Sequence, residues 1–127
     1  MSQDFRTDMS RVKGHGSAHN GTHHFIAHRV SAIILAITVP FLVWGILSSA
    51  PDGFDGFLDY IETTFGALTL LLFVTAAFFH GRSGLTEVIL DYTSGGTRMG
   101  LLLAVTLISI GFWLLAVLSI FRIWLGA

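Results

Sequence analysis

Cysteine is absent from the 127 residues. The chain by itself can therefore form neither a disulfide nor a thiolate-ligated iron–sulfur cluster. Charge is nearly as scarce: 12% of residues are Asp, Glu, Lys or Arg, about half of the ~25% typical of a soluble domain. With 53% hydrophobic residues and a mean hydropathy of +0.73, the composition is that of a membrane protein. A net charge of -1 and the lack of a basic stripe argue against a nucleic-acid partner. A nucleotide fingerprint is missing too. Gly14 and Gly16 form a G-x-G, but His19 stands where a third glycine would fall, and no strand pattern precedes it. That excludes a flavin or nicotinamide on this chain, so any redox role must draw electrons from another protein.

What is present is three long stretches free of charge. Val30 to Ala50 covers 21 residues, Thr63 to Gly81 covers 19, and Met99 to Phe121 covers 23. A helix needs about 20 apolar residues to cross a bilayer core of about 30 Å. The expected fold is therefore all-α, with three transmembrane helices over about 28–49, 61–92 and 98–124. They form one anchor unit, 25–127, behind a polar arm, 1–24. The first run is too long for a signal-peptide core and is expected to be retained.

Orientation follows from Lys and Arg near the helix ends. Arg6, Arg11, Lys13 and Arg29 precede the first span, and Arg82 and Arg98 flank the connection between the second and third. The first connection has none and carries Asp52, Asp55, Asp59 and Glu62; the tail has only Arg122. Six against one places the N-terminus in the cytoplasm and the C-terminus in the periplasm. Pro40 is expected to bend the first helix, since its nitrogen cannot donate. "SSAPDGFDG" reads as an outer loop, and Gly95 or Gly96 suits a left-handed helix cap.

Chemistry rests on few side chains. Five of the six histidines, His15, His19, His23, His24 and His28, gather near the N-terminus. His15, His19 and His23 share a spacing of four that a metal could use on a helix, but a glycine-rich arm is a poor helix. His80 differs, because it lies at the end of a membrane-grade run. Ionisable groups there face a bundle interior or cavity and mark function, or they cap a helix against water. At 100° per residue, His80, Gly84 and Asp91 share one face. Gly84 leaves room for a flat ligand, with Ala76 and Ala77 small on the other side. An imidazole framed by small residues suits a haem iron.

Asp91 lies about 16 Å further along the axis, too far to orient His80. With Tyr92 it belongs to a second site, a donor beside a proton acceptor, as a quinone carbonyl requires. Both residues also suit ordinary interfacial roles, tyrosine in the aromatic belt and aspartate in a loop. Arg29 is a natural partner for a haem propionate, or a snorkelling anchor. His23 could be a second donor to a propionate.

Two motifs carry a family resemblance. "GTHHFIAHRVSAI" resembles a G-x-H-x-F-x-x-x-R leader into the first helix. "HGRSGLTEVILDY" resembles an H-x-x-x-G-(L/M)-x-x-V-(I/L)-x-D-Y signature. Both are similar to those of the hydrophobic membrane-anchor subunit of succinate dehydrogenase, the D subunit of respiratory complex II, over roughly residues 14 to 127. "HRVS" is also similar to an element of the sister C subunit, with Ala32 where that element has glycine. The resemblance implies that His80 is an axial ligand of haem b, the other coming from the C subunit. It places Arg29 and His23 near the propionates and Tyr92 and Asp91 at the ubiquinone site; Gly84, by its place on the His80 face, would pack against the haem. It implies three partners: the large cytochrome b subunit, the iron–sulfur subunit and the flavoprotein. The expected location is the bacterial inner membrane, ahead of a mitochondrial inner membrane. The chain would then be a non-catalytic member of an oxidoreductase complex. A different class fits the bare residues: a small transporter or channel subunit with His80, Arg82 and Asp91 on a proton or metal path.

Overall fold

The computed structural model describes the backbone of residues 19–126 and the side chains of 25–126. His15 lies outside the described residues, as do the side chains of His19, His23 and His24. Helix α1 spans His19–Ser49 and is followed by a 3-10 turn, Ala50–Asp52. Helix α2 spans Gly53–Glu62, α3 spans Thr64–Tyr92, and α4 spans Gly95–Trp124. Three segments are long and apolar enough to cross a membrane: Phe25–Glu62, Thr64–Tyr92 and Gly95–Trp124. The described residues contain no strand. The all-α, three-span expectation is met.

The ends of the helices differ in detail from the expectation. The first helix begins at His19 rather than near residue 28, and the third at Gly95 rather than 98. The outer loop is mostly helical. Pro51 sits in the first turn of the 3-10 segment, where a missing N–H costs nothing. Phe54, Phe57, Leu58 and Ile61 then fall at three- and four-residue spacing, which gives α2 an apolar side. Ile61 therefore closes α2 and does not open the second span. Thr63 starts α3 instead: its Oγ1 accepts the Gly66 N–H at 3.0 Å and donates to the Tyr60 carbonyl at 2.7 Å. Gly95 has a left-handed φ of 60°, as its sequence position suggested, but it opens α4; Thr93, in an extended conformation, ends α3.

The packing of α1 on α3 is built from small residues. Ser31, Thr38 and Gly45 are buried on α1 at intervals of seven. Thr69, Ala76 and Ser83 are buried on α3 at the same interval. In lipid there is no hydrophobic gain from bringing helices together, so close van der Waals approach of small residues does the work. On α1 the hydroxyls of Ser31, Thr38 and Ser49 are turned back onto their own helix. Thr38 Oγ1 donates to the Ile34 carbonyl at 2.8 Å and Ser49 Oγ to the Gly45 carbonyl at 2.7 Å. At Gly45 the Tyr60 ring lies so close to the backbone that a Cβ would collide with it.

Helix α4 is different. Ile120 is its one buried described residue, while Leu103, Leu107, Leu115 and Leu118 are 60–64% exposed. A hydrogen bond from Trp113 Nε1 to Thr75 Oγ1, at 3.1 Å, ties it to α3.

Candidate functional site

Helix α3 runs unbroken from Thr64 to Tyr92, so His80, Gly84 and Asp91 do lie on one continuous helix. His80 is half-buried at the α1 side of α3. Its Nδ1 lies 3.2 Å from Ser31 Oγ, and its ring stacks on that of His28 with centroids 4.1 Å apart and planes 25° from parallel. Ser31 is buried, and its hydroxyl donates to the His28 carbonyl at 2.7 Å. His28 Nδ1 is buried without a hydrogen-bond partner among the described residues.

Antiparallel packing produces this cluster. One turn of α1 (28 to 31) meets α3 at 80, although 49 residues separate Ser31 from His80 in sequence. Neither His28 nor Ser31 stood out beforehand as a site residue. The available signal was the "HRVS" element: a serine three residues after a histidine faces the same side of a helix and can bond back to its carbonyl.

The surroundings of His80 are partly open. A Cβ added to Gly84 would meet nothing within 4 Å, so the space beside it is free on this chain. Ala76 is buried in the seam, and Ala77 is half-buried. A groove of ≈ 290 Å³ lies between α1 and α3, bounded by Ser31, Ile34, Ala76 and Phe79 among others. A second, of ≈ 190 Å³, lies between α3 and α4, with Arg82 at one margin beside Phe78 and Trp113. Both grooves are lined almost entirely by apolar atoms.

The remaining expected residues are not gathered around His80 by the chain itself. Arg29 is exposed and holds its guanidinium 4.6 Å from the centre of the Phe25 ring, one turn earlier on α1. Asp91 is exposed, and Tyr92 is 85% exposed at the end of α3. The expected role of His23 lies outside the described side chains. Arg98, one of the positive charges near the membrane, also has a structural task. It donates through Nε to the Thr93 carbonyl at 2.7 Å and through Nη2 to the Leu90 carbonyl at 3.0 Å. A cation on the last carbonyls of α3 offsets the negative end of the helix, beside Asp91 and Tyr92 in sequence. The described residues contain no group of three or more His, Asp or Glu able to hold a metal ion.

Three spans and a small-residue seam, with His28, Ser31 and His80 brought together between α1 and α3, define a class: a multi-pass helical membrane protein. Residues 3–116 match the family described as the succinate dehydrogenase/fumarate reductase transmembrane subunit. The chain belongs to that family, as a succinate dehydrogenase hydrophobic membrane-anchor subunit. It is 32% identical over 111 residues to the succinate dehydrogenase hydrophobic membrane anchor subunit of Rickettsia bellii, covering 87% of this chain and 89% of that one. It is 31% identical over 121 residues to the protein of the same name from Paracoccus denitrificans, covering 95% and 94%. The Rickettsia conorii protein is 30% identical over 95 residues, covering 74% and 75%. No solved structure matches the chain.

Proposed function

We propose that this chain holds the flavoprotein and iron–sulfur subunits of a succinate:ubiquinone oxidoreductase on the bacterial inner membrane, together with a large cytochrome b subunit. In this reading His80 supplies one axial ligand of a haem b, and the large subunit supplies the other. The observation that carries it is the half-buried imidazole of His80, held on one edge by α1 with free space beside Gly84 one turn away. One histidine facing a shared space suits half of a bis-histidine site.

The residues present fit such a group. His80 offers a nitrogen donor in apolar surroundings, the groove along Ser31 and Ala76 admits an apolar edge, and Arg29 stands exposed where a carboxylate from outside the chain can reach it. His23 is the second propionate partner in this reading. A haem at this position supplies a one-electron carrier. The chain's own contribution would be to hold the ring of His80, to exclude water with the apolar groove lining, and to offer a cation to the propionates.

Asp91 and Tyr92 serve ubiquinone. Tyr92 presents a phenolic O–H that donates to a quinone carbonyl, and Asp91 sets the charge around it. Their exposure on this chain suits a pocket whose other walls belong to partner subunits. The N-terminus and the α3–α4 connection face the cytoplasm, where the soluble subunits dock, on the strength of six Lys/Arg against one. A reporter active only in the periplasm should work when fused after Ala127 and fail at the N-terminus; the opposite pattern reverses the orientation.

The deciding experiment is a reduced-minus-oxidised spectrum of the complex isolated in mild detergent. A b-type band is expected in the wild type, and its loss or a clear shift in His80→Ala, with the chain still in the membrane fraction. An unchanged low-spin spectrum in that variant removes His80 as the ligand.

A further inference from the structure

We infer that Ser31 is a positioning residue that locks His80 in one tautomer, with Nδ1 protonated and Nε2 left as the metal-facing donor. This deepens the haem reading above and rests on it. Ser31 is 5% exposed, and its hydroxyl carries a single hydrogen. The His28 carbonyl, at 2.7 Å, is the nearer of its two partners and can only accept. With its hydrogen donated there, Ser31 Oγ can act toward His80 Nδ1, 3.2 Å away, only as an acceptor. His80 Nδ1 must therefore bear the proton, and the lone pair in the ring plane sits on Nε2. That is the tautomer a metal-ligating histidine needs, and an acceptor on the far nitrogen is the usual device for holding it.

His28 supplies the other restraint. Its ring covers a face of His80 at 4.1 Å and 25°. A stacked plate opposes rotation of the imidazole about its Cβ–Cγ bond, while a metal approaches along the ring edge, in plane. One residue thus contributes its carbonyl to orient Ser31 and its ring to orient His80. The acceptor is a neutral hydroxyl, so it raises the basicity of the ligand less than a carboxylate would. The alternative arrangement has Ser31 donating to Nδ1. It leaves the His28 carbonyl without that bond and places the proton on Nε2, where it blocks ligation.

The test uses the whole complex, with histidines of this chain labelled with nitrogen-15, in wild-type, Ser31→Ala and Ser31→Thr forms. Nitrogen-15 shifts report which ring nitrogen of His80 is protonated. Potentiometric titration reports the haem midpoint potential, and dilution into detergent reports haem retention. The wild type is expected to show protonated Nδ1. Ser31→Ala should loosen haem retention roughly 10–100-fold and raise the midpoint potential, because ferric iron loses a firmly held, more basic donor. Ser31→Thr keeps a hydroxyl able to bond back to the same turn and should restore both. Identical potential and retention in Ser31→Ala overturn the positioning role while leaving His80 as the ligand. A wild-type complex without haem removes the haem reading; the nitrogen-15 spectrum still decides, with protonated Nε2 overturning the tautomer assignment and protonated Nδ1 supporting it.

Discussion

The seam between α1 and α3 and the outer surface of α4 are made from opposite materials. Along the seam, Ser31, Thr38, Gly45, Ala76 and Ser83 are small and buried. Where Ser31, Thr38 and Ser49 are polar, they bond their own backbone. Along α4, leucines stand well over half exposed, with Ile120 alone buried. The difference separates what the chain completes by itself from what it leaves to lipid or to other subunits. His80 lies half-buried at the margin of the seam, while Asp91 and Tyr92 are exposed on the open side. Changes along the seam should be felt in the folding of the chain, and changes on the open side in assembly and turnover.

Tyr92→Phe gives the largest expected effect on the open side. It removes one donor and keeps the ring. A hydrogen bond is worth about 0.5–1.5 kcal/mol, and more where charge builds on the oxygen during reduction. At tenfold in rate per about 1.36 kcal/mol, succinate:quinone turnover should fall roughly three- to a hundredfold. Succinate oxidation by a dye reduced upstream of the membrane should hardly change. Equal loss of both activities would mean failed assembly, and full quinone activity would return Tyr92 to the interface.

Gly45→Ala probes the self-completed side. The new methyl would strike the Tyr60 ring, and overpacking of this kind costs about 1–3 kcal/mol. Gly111→Ala, on α4 with nothing within 4 Å of the added carbon, should be neutral or slightly stabilising, since alanine favours a helix by about 0.5–1 kcal/mol over glycine. Unfolding of the two variants in mixed micelles measures the contrast. A Gly45→Ala variant as stable as Gly111→Ala would erase the distinction between the two regions.

Trp113→Phe carries the smallest effect. It deletes the hydrogen bond from Trp113 to Thr75, at a cost of about 0.5–1.5 kcal/mol, and leaves the Arg98 contact to the Leu90 carbonyl as a further tie between α4 and α3. Protease access to the α3–α4 connection should rise modestly while the α1–α3 pair stays protected. A loss as large as that of Gly45→Ala would show that the docking of α4 depends on Trp113 by more than one hydrogen bond.

Much of the architecture is legible along the chain because lipid imposes a length and a polarity on every span. The charge-free runs mark all three, and the rise of 1.5 Å per residue already separates Asp91 from His80. Helix α2 was hidden by Pro51, Gly53 and Gly56, which read as turn residues; its apolar spacing at Phe54, Leu58 and Ile61 was the stronger signal. Arg98 was counted as a charge at the membrane surface, and its role as a cap on α3 depends on where the chain turns at Thr93 and Ser94.

The sequence by itself determined the class of the protein, the number of spans and the identity of the histidine at the membrane edge, because hydropathy, helix period and motif spacing are properties of neighbours along the chain. Only the tertiary structure decided what that histidine touches. Helical periodicity names a face but not the residue opposite it, and two antiparallel helices must be set in register before Ser31 reaches His80 Nδ1 and the His28 ring covers its face. The tautomer follows from that register, because the single hydrogen of the Ser31 hydroxyl can be given only once.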